Sequence, residues 1–279
     1  MEGWELSKAK IVVMLPALNE EGTIGEVIDD IPFDILSDRG YKTVPVVIDG
    51  NSTDRTLEIA RRKGAEIVVQ HGKGKGLGVR QGFALCRSPD VPGERRSMHD
   101  ADAALMDARY IIMLDADGTY PPKHIPDLIK ALERGADVAM GSRFLGSIAD
   151  GAMTDLNRFG NTVLSDVASM LYQQRCTDLC TGMWGFNARA LDVLDLDSKH
   201  FELEAELFAE SSKKGLRIIE VPISYLPRKG ETKLVPLKAG LAILDKLLER
   251  RFFNAAGDLE MKTTKRSEKS PSPTPFQFL

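Results

Sequence analysis

The sequence predicts an α/β fold in which a mostly parallel sheet is flanked by helices. Short Val/Ile/Leu-rich runs recur along the chain, amphipathic stretches separate them, and polar or Gly-rich loops follow the runs. A parallel strand buried on both faces reads as a continuous apolar run, and strands alternating with helices favour right-handed crossovers.

The elements follow in order. Ile11 to Leu15 is the first run, stopped by Pro16, and Thr23-Ile-Gly-Glu26 has capping-box spacing ahead of Val27 and Ile28. Thr43 to Ile48 reads as a strand, Asp49 to Asp54 as a polar turn rich in N-cap residues, and Thr56 to Lys63 as a helix closed by Gly64. Glu66 to Gln70 is a third strand. The Gly-rich His71 to Gly78 and a helix through Leu85 come next. Residues 88–108 carry Pro, Gly, Glu and Arg and read as an exposed insertion. Tyr110 to Leu114 is a strand, a helix follows Pro122 to about Arg134, and the strand Asp137 to Met140 enters Gly141-Ser-Arg143. The second half predicts a helix from Asn157 to Tyr172, a Gly-rich turn at Thr181 to Gly185, a helix from Glu202 to Lys214, and a strand from Arg217 to Val221. Pro222 then fits an edge or strand-end position.

With 279 residues, 43% hydrophobic and 28% charged, the chain can bury one large core or two closely packed ones. A net charge of -4 gives no support for a nucleic-acid binder, whose footprint is a basic face, and leaves local basic patches open. Cys86, Cys176 and Cys180 lack metal-site partners, and their odd number suggests a reducing compartment and packing roles. There is no secretory-type apolar core near Met1 and no stretch approaching the roughly 20 apolar residues of a membrane span. The expected location is therefore cytoplasmic. Ser270-Pro-Ser-Pro-Thr-Pro275 lies in a Lys-, Ser- and Pro-rich tail that predicts disorder.

The chemistry concentrates in Leu114-Asp-Ala-Asp-Gly118, where Asp115 and Asp117 stand one residue apart at the end of an apolar strand. Ligands in open α/β sheets sit at the carboxyl ends of strands, and Mg²⁺ or Mn²⁺ takes one or two carboxylates alongside phosphate oxygens and water. An ordinary Asp-Gly turn is the competing reading. Lys73-Gly-Lys-Gly-Leu-Gly78 lacks the Walker spacing, which argues against a P-loop nucleoside triphosphatase, while Lys75 remains a candidate for phosphate or base against a plain turn. The four histidines are scattered and form no triad or paired-ligand pattern.

Three segments in fixed order, Leu15-Pro-Ala-Leu-Asn-Glu-Glu21, Val46 to Thr56 and Leu114 to Pro122, resemble the family 2 glycosyltransferases of the GT-A fold. The likeness continues through Gly141-Ser-Arg143, Met153 to Gly160, Phe201-Glu-Leu-Glu204, Glu220 to Tyr225 and Arg228 to Leu234, and so covers about residues 10–235. This longer set is similar to the dolichyl-phosphate hexosyltransferases, most closely an archaeal branch. The resemblance implies a GT-A domain over 1–235, while apolar spacing beyond it predicts an amphipathic helix over 236–255 and composition a disordered tail over 256–279. It implies an inverting transfer of a hexose from a nucleotide-sugar, UDP-GlcNAc or UDP-Glc, to dolichyl or polyprenyl phosphate for protein N-glycosylation.

The same resemblance assigns Pro16, Leu18 and Glu20 to the nucleotide, Asp49 to its base, and Asp115, Ala116 and Asp117 to the cation and diphosphate. Arg143 and Arg158 match arginines that hold the lipid phosphate, and Arg228 with Lys233 matches a segment that closes over the donor phosphates. Arginine offers a planar fork for phosphate, and cations offset charge on a departing nucleotide. Two departures weigh against GDP-mannose as donor. Asp49-Gly-Asn-Ser52 replaces an Asp-Asp-Gly-Ser found in many relatives, and the interval from Arg228 to Lys233 is shorter than in mannose-transferring ones.

Alternatives remain at this level. A dolichyl-phosphate mannose synthase would keep the acceptor and change the donor. A hydroxyl acceptor would need a general base, for which Glu204 or Glu206 is the candidate, against a plain solvated helix face. A catalytically silent nucleotide-sugar-binding subunit would keep the site without turnover. Pro236 to Phe253 places Leu237, Leu241, Leu244, Leu248 and Phe252 at helical spacing, which suits either peripheral contact with a membrane or packing on the domain.

Overall fold

In the computed structural model, which describes residues 8–86, 107–230 and 236–253, the apolar runs form a seven-stranded sheet. Its strands are β1 (Ala9–Ala17), β2 (Tyr41–Asp49), β3 (Glu66–Val69), β4 (Ala108–Met113), β5 (Val138–Ile148), β6 (Trp184–Asn187) and β7 (Ile218–Tyr225). They lie in the order β3-β2-β1-β4-β6-β5-β7. β6 runs antiparallel to β4 and β5, and the other described pairings are parallel. The sheet is thus mostly parallel, as the sequence predicts.

Alternate residues of β1 face opposite layers. Val12 and Met14 join a core built with Val79 and Phe83 of α4 (Lys75–Cys86) and Leu207 and Phe208 of α8 (Leu203–Lys213). Ile11, Val13 and Leu15 join a second core with α1 (Ile24–Asp29) and with Ile125, Leu128 and Ile129 of α5 (Ile125–Glu133). Period-two alternation in a continuous apolar run is what a strand covered on both faces requires. Each such side chain, fully buried, stabilises the fold by about 1.5–3 kcal/mol before entropy is counted. Trp184 stacks on Phe186 at 6.1 Å between centroids, and Phe83 meets Phe186 edge-on at 5.2 Å, which locks β6 into the first core.

The remaining helices are α2 (Phe33–Asp38), α3 (Thr56–Arg62), α6 (Asp155–Tyr172), α7 (Ala188–Val193) and α9 (Pro236–Phe252). Thr154 caps α6 by accepting from the Asn157 N–H at 3.2 Å. Pro222 sits on β7, an edge strand, where a missing donor costs least.

Several elements differ from expectation for physical reasons. β1 continues through Pro16 to Ala17, because Pro occupies the strand's end rather than its middle. The capping box at Thr23 does not form. The Thr23 hydroxyl instead donates to the Ala116 carbonyl at 2.8 Å, so tertiary pairing outcompetes the local cap. β5 runs to Ile148, well past the expected end at Met140, since its pairing with β7 resumes after a register shift between Ser142 and Ser147. The Gly-rich segment 181–185 leads directly into β6, a four-residue strand too short to show a period. Most of the insertion at 88–108 and the tail at 256–279 lie outside the described residues.

α9 docks through a face other than its most apolar stripe. Ile243 and Leu247 are buried, the Tyr172 hydroxyl donates to the Leu247 carbonyl at 2.8 Å, and Arg250 pairs with Glu206. Leu241, Leu248 and Phe252 stay exposed, Leu241 at 62%. No helix among the described residues is long and apolar enough to cross a membrane.

Candidate functional site

The strand order fixes where the site lies. From β1 the chain moves to β2 and β3 on one side, then returns to place β4 on the other side of β1. Loops leaving β1 and β4 therefore diverge, and a crevice opens at the carboxyl ends of the two strands. Pro16, Leu18 and Glu20 lie at or just beyond the end of β1 there, and Asp115, Ala116 and Asp117 follow β4. All six line one cavity of about 1310 Å³, together with Lys75, Arg143 and Arg228. Most of the residues singled out from sequence are thus brought together.

The loop after β1 is knitted to the loop after β2. Asn19, at φ 53°, accepts from the Thr53 N–H at 2.8 Å and donates its own N–H to the Ser52 hydroxyl at 2.9 Å, and the Glu20 N–H donates to the Thr56 hydroxyl at 2.8 Å. Gly50 and Asn51 form part of the cavity wall. Asp49 does not: it is 1% exposed, and its carboxylate accepts from the Asn51 and Ser52 N–H groups at 3.1 and 3.2 Å. Its carboxylate shapes the loop that carries Gly50 and Asn51 into the cavity wall.

Asp117 accepts from the Thr119 N–H at 2.9 Å and the Thr119 hydroxyl at 2.6 Å, and it pairs with Arg228. Asp115 pairs with Lys75 at 2.6 Å, and Lys75 is also 2.6 Å from Glu204. Burial pushes the Asp115 carboxyl up to about 6, against the opposing pull of Lys75. Burial works against the Lys75 charge, but the carboxylates of Asp115 and Glu204 overcome it and hold the ammonium above its ordinary range. A Cβ on Gly182 would lie 2.4 Å from Asp115 Oδ2, so only glycine leaves room for that carboxylate. No three acidic, histidine or cysteine side chains among the described residues form a preassembled metal cluster. Two convergent carboxylates suit a hard cation that completes its shell with phosphate oxygens and water, so Asp115 and Asp117 fit Mg²⁺ or Mn²⁺.

Arg143 is buried, and Asp178 grips it through Nε at 2.7 Å, Nη2 at 2.6 Å and the backbone N–H at 2.8 Å. Its guanidinium lies 4.9 Å from the Tyr225 ring centroid and 5.8 Å from that of Tyr120. Arg158 is not gathered into the cavity. It is exposed on α6 with its guanidinium 5.9 Å from the Phe144 ring centroid, at the rim beside the cavity-lining Asn157 and Phe159. Lys233 lies outside the described residues.

Glu204 and Glu206 are both buried, which overturns the solvated helix face expected for them. Glu204 lines the cavity, whereas Glu206 accepts from the Asp197 and Ser198 N–H groups, each at 2.9 Å, and so holds a turn. The glycines before α4 serve helix packing: a Cβ at Gly74 would meet the Lys199 carbonyl at 2.2 Å, and the Leu77 N–H donates to that same oxygen at 3.1 Å. That close approach sets the root of α4, and Lys75 with it, against the turn before α8. Cys180 also lines the cavity, but burial pushes its thiol up to about 12, so it is no nucleophile there.

The sequence reading missed Asp178, Asn161, Tyr120, Tyr225 and Gly182. Asp178 carried a signal only as an isolated acid between two cysteines, and its partner Arg143 is 35 residues away. Apolar side chains line the cavity as well, among them Leu156, Phe159, Val163 and Leu241. Leu156, Phe159 and Val163 stand on one exposed stripe of α6, Leu156 at 68% exposure and Phe159 at 69%.

Comparison with known proteins agrees with this architecture. The family described as Glycosyl transferase family 2 matches residues 12–194. Glycosyltransferase AglJ of Haloferax volcanii is 34% identical over 246 residues, 88% of this chain and 73% of that protein. The Dolichyl-phosphate hexose transferase of the same organism is 34% identical over 235 residues, 84% of this chain and 90% of its own. Among solved structures, glucosyl-3-phosphoglycerate synthase from Mycobacterium tuberculosis, in complex with Mn²⁺ and uridine-diphosphate-glucose, superposes with a TM-score of 0.63 at 20% identity, covering 89% of this chain and 81% of that one. The last likeness is one of fold.

Proposed function

Because the chain belongs to glycosyl transferase family 2, we propose that it moves a hexose from a nucleotide-sugar to the phosphate of a dolichol or other polyprenol, with inversion. The observation that carries this reading is a single cavity lined by two sets of side chains of opposite character. One set is charged, with Asp115, Asp117, Lys75, Arg143 and Arg228, and the other is apolar, with Leu156, Phe159, Val163 and Leu241. A diphosphate-linked sugar suits the first, and an isoprenoid chain suits the second. Similarity to a relative named as a dolichyl-phosphate hexose transferase supports the same acceptor. We further propose UDP-GlcNAc or UDP-Glc as donor, and protein N-glycosylation as the use of the product, both from the archaeal resemblance.

The residues take these roles. Pro16, Leu18, Glu20 and Ala116 wall the nucleotide, while Asp115 and Asp117 hold the cation. A divalent cation there supplies positive charge to the departing diphosphate. Arg228, and Lys233 beyond it, close on the donor phosphates. A phosphate acceptor is already anionic near neutral pH and needs positioning rather than deprotonation. Arg143, oriented by Asp178, and Arg158 at the rim provide that positioning. This distinguishes the reading from transfer to a hydroxyl, which would need a free general base. Glu204, the best placed acid, is paired with Lys75.

Peripheral contact with the cytoplasmic face of a membrane belongs to the same reading. It is supported by Leu241, Leu248 and Phe252 of α9 and by the α6 stripe, all exposed, with Leu241 and the stripe also lining the cavity. The acceptor assignment is tested by Phe159→Asp. The KM for a polyprenyl phosphate should rise about tenfold, the size expected when an apolar contact of about 1–2 kcal/mol is lost, with the donor KM unchanged. An unchanged acceptor KM would remove the apolar lining from the account.

A further inference from the structure

Among the described residues, three carboxylates and two cations meet in the cavity wall. Lys75 Nζ lies 2.6 Å from both Asp115 Oδ1 and Glu204 Oε1, and Arg228 pairs with Asp117. Glu204 is at the start of α8 and Asp115 at the end of β4, so Lys75 bridges two walls that are 89 residues apart in sequence. All three side chains are largely buried, with side-chain exposures of 15% for Lys75, 24% for Asp115 and 8% for Glu204. At such burial, charge is weakly screened and each member of the cluster is felt by the others.

The charge balance gives Glu204 its role. Arg228 offsets Asp117, and Lys75 can offset only one of its two partners. Among the described residues, Glu204 therefore leaves these five side chains with an excess of one negative charge. It also draws the Lys75 ammonium to a position between two carboxylates, so that Asp115 is not sole owner of it. Asp115 Oδ2, the oxygen away from Lys75, packs closely against Gly182.

We infer that Glu204 is a positioning residue: by sharing Lys75 with Asp115 it keeps that carboxylate competent to bind a divalent cation. Glu204 is then not the general base that its place in the cavity suggests. It acts through Lys75, and Lys75 acts as a resident counter-ion that an arriving metal must compete with or displace. Residues one step removed from a metal commonly change its affinity by about 10–100-fold. The inference rests on the metal assignment to Asp115 and Asp117.

Mn²⁺ binding to the full-length protein, measured by electron paramagnetic resonance without donor or acceptor, tests both and separates them. Glu204→Gln keeps the side chain's shape and should weaken Mn²⁺ binding about tenfold, because Lys75 then neutralises Asp115 alone. Lys75→Met should tighten it, because the competing cation is gone. The double variant should return towards wild type, since charge is removed in a balanced pair. A purely structural role would move both single variants in the same direction and the double variant further still, and that pattern would overturn the inference. It is also overturned if Glu204→Gln binds Mn²⁺ like wild type while Asp115→Asn loses it. If Asp115→Asn leaves Mn²⁺ binding intact, the metal assignment itself falls. Because Lys75→Met leaves two carboxylates facing each other, thermal unfolding of each variant is followed in parallel. The Glu204→Gln result stands alone if Lys75→Met does not fold.

Discussion

Asp115 and Asp117 are one residue apart yet have different surroundings. Asp117 is anchored by Thr119 and answers to Arg228, whereas Asp115 answers to Lys75 and is pushed up to about 6 by burial. Such asymmetry is typical of functional carboxylates, because one group is held rigid while its neighbour stays easy to perturb. His124 shows the same physics away from the site. Its Nε2 accepts from the Ser224 N–H at 3.0 Å, which joins the turn before α5 to β7, and burial, helped by the charge of Lys123, holds its pKa below the ordinary 6.5. The unfolded chain therefore takes up this proton first as pH falls. The contribution is fully present above about 6.5 and is lost as pH drops through the lowered folded value. Urea titrations across that range should show stability declining with acid, and His124→Gln should flatten the decline. An unaltered slope in the variant would assign it elsewhere.

At the scale of elements, α9 is fastened by charge as well as by apolar contact. Arg250 is 4% exposed and pairs with Glu206, which is fully buried, and with Asp197 at 2.9 Å, while Lys246 reaches Asp197 at 2.8 Å. Removing one partner of a buried pair strands the other charge, so Arg250→Ala should destabilise the protein by about 3 kcal/mol in chemical denaturation. A loss below about 1 kcal/mol would mean that the pair is no stronger than a surface bridge. None of this was legible in the sequence, because Arg250 and Glu206 are 44 residues apart and each reads as a charge on an amphipathic helix. The Asp-x-Asp was legible because its chemistry is local: a strand end, two carboxylates and a glycine. The core strands were legible because continuous apolar runs have few other uses. β6 and α7 were not, being four and six residues long and fixed by tertiary pairing rather than by their own periodicity. Thr23 illustrates the same limit. A sound local cap signal was overruled by a hydrogen bond to a residue 93 positions away.

At the scale of the whole molecule, the sheet order creates the crevice, loops at strand ends furnish its polar side, and α6 and α9 furnish its apolar side. Those two helices also carry the exposed Leu156, Phe159, Leu241 and Phe252, the first three of which line the cavity as well. Liposome co-sedimentation checks the membrane reading. Replacing Leu241 and Phe252 together by Asp should release the protein from vesicles of mixed neutral and anionic lipid, and unchanged binding would leave these helices as packing elements only. The central claim is tested most directly by a transfer assay. Purified protein is given Mg²⁺ or Mn²⁺, a short-chain polyprenyl phosphate and a panel of labelled UDP- and GDP-sugars, and label is followed into the organic phase. The account predicts cation-dependent labelling of the lipid from a UDP-sugar. Nucleotide release with label passing to a soluble hydroxyl acceptor, and none to the lipid, would contradict it.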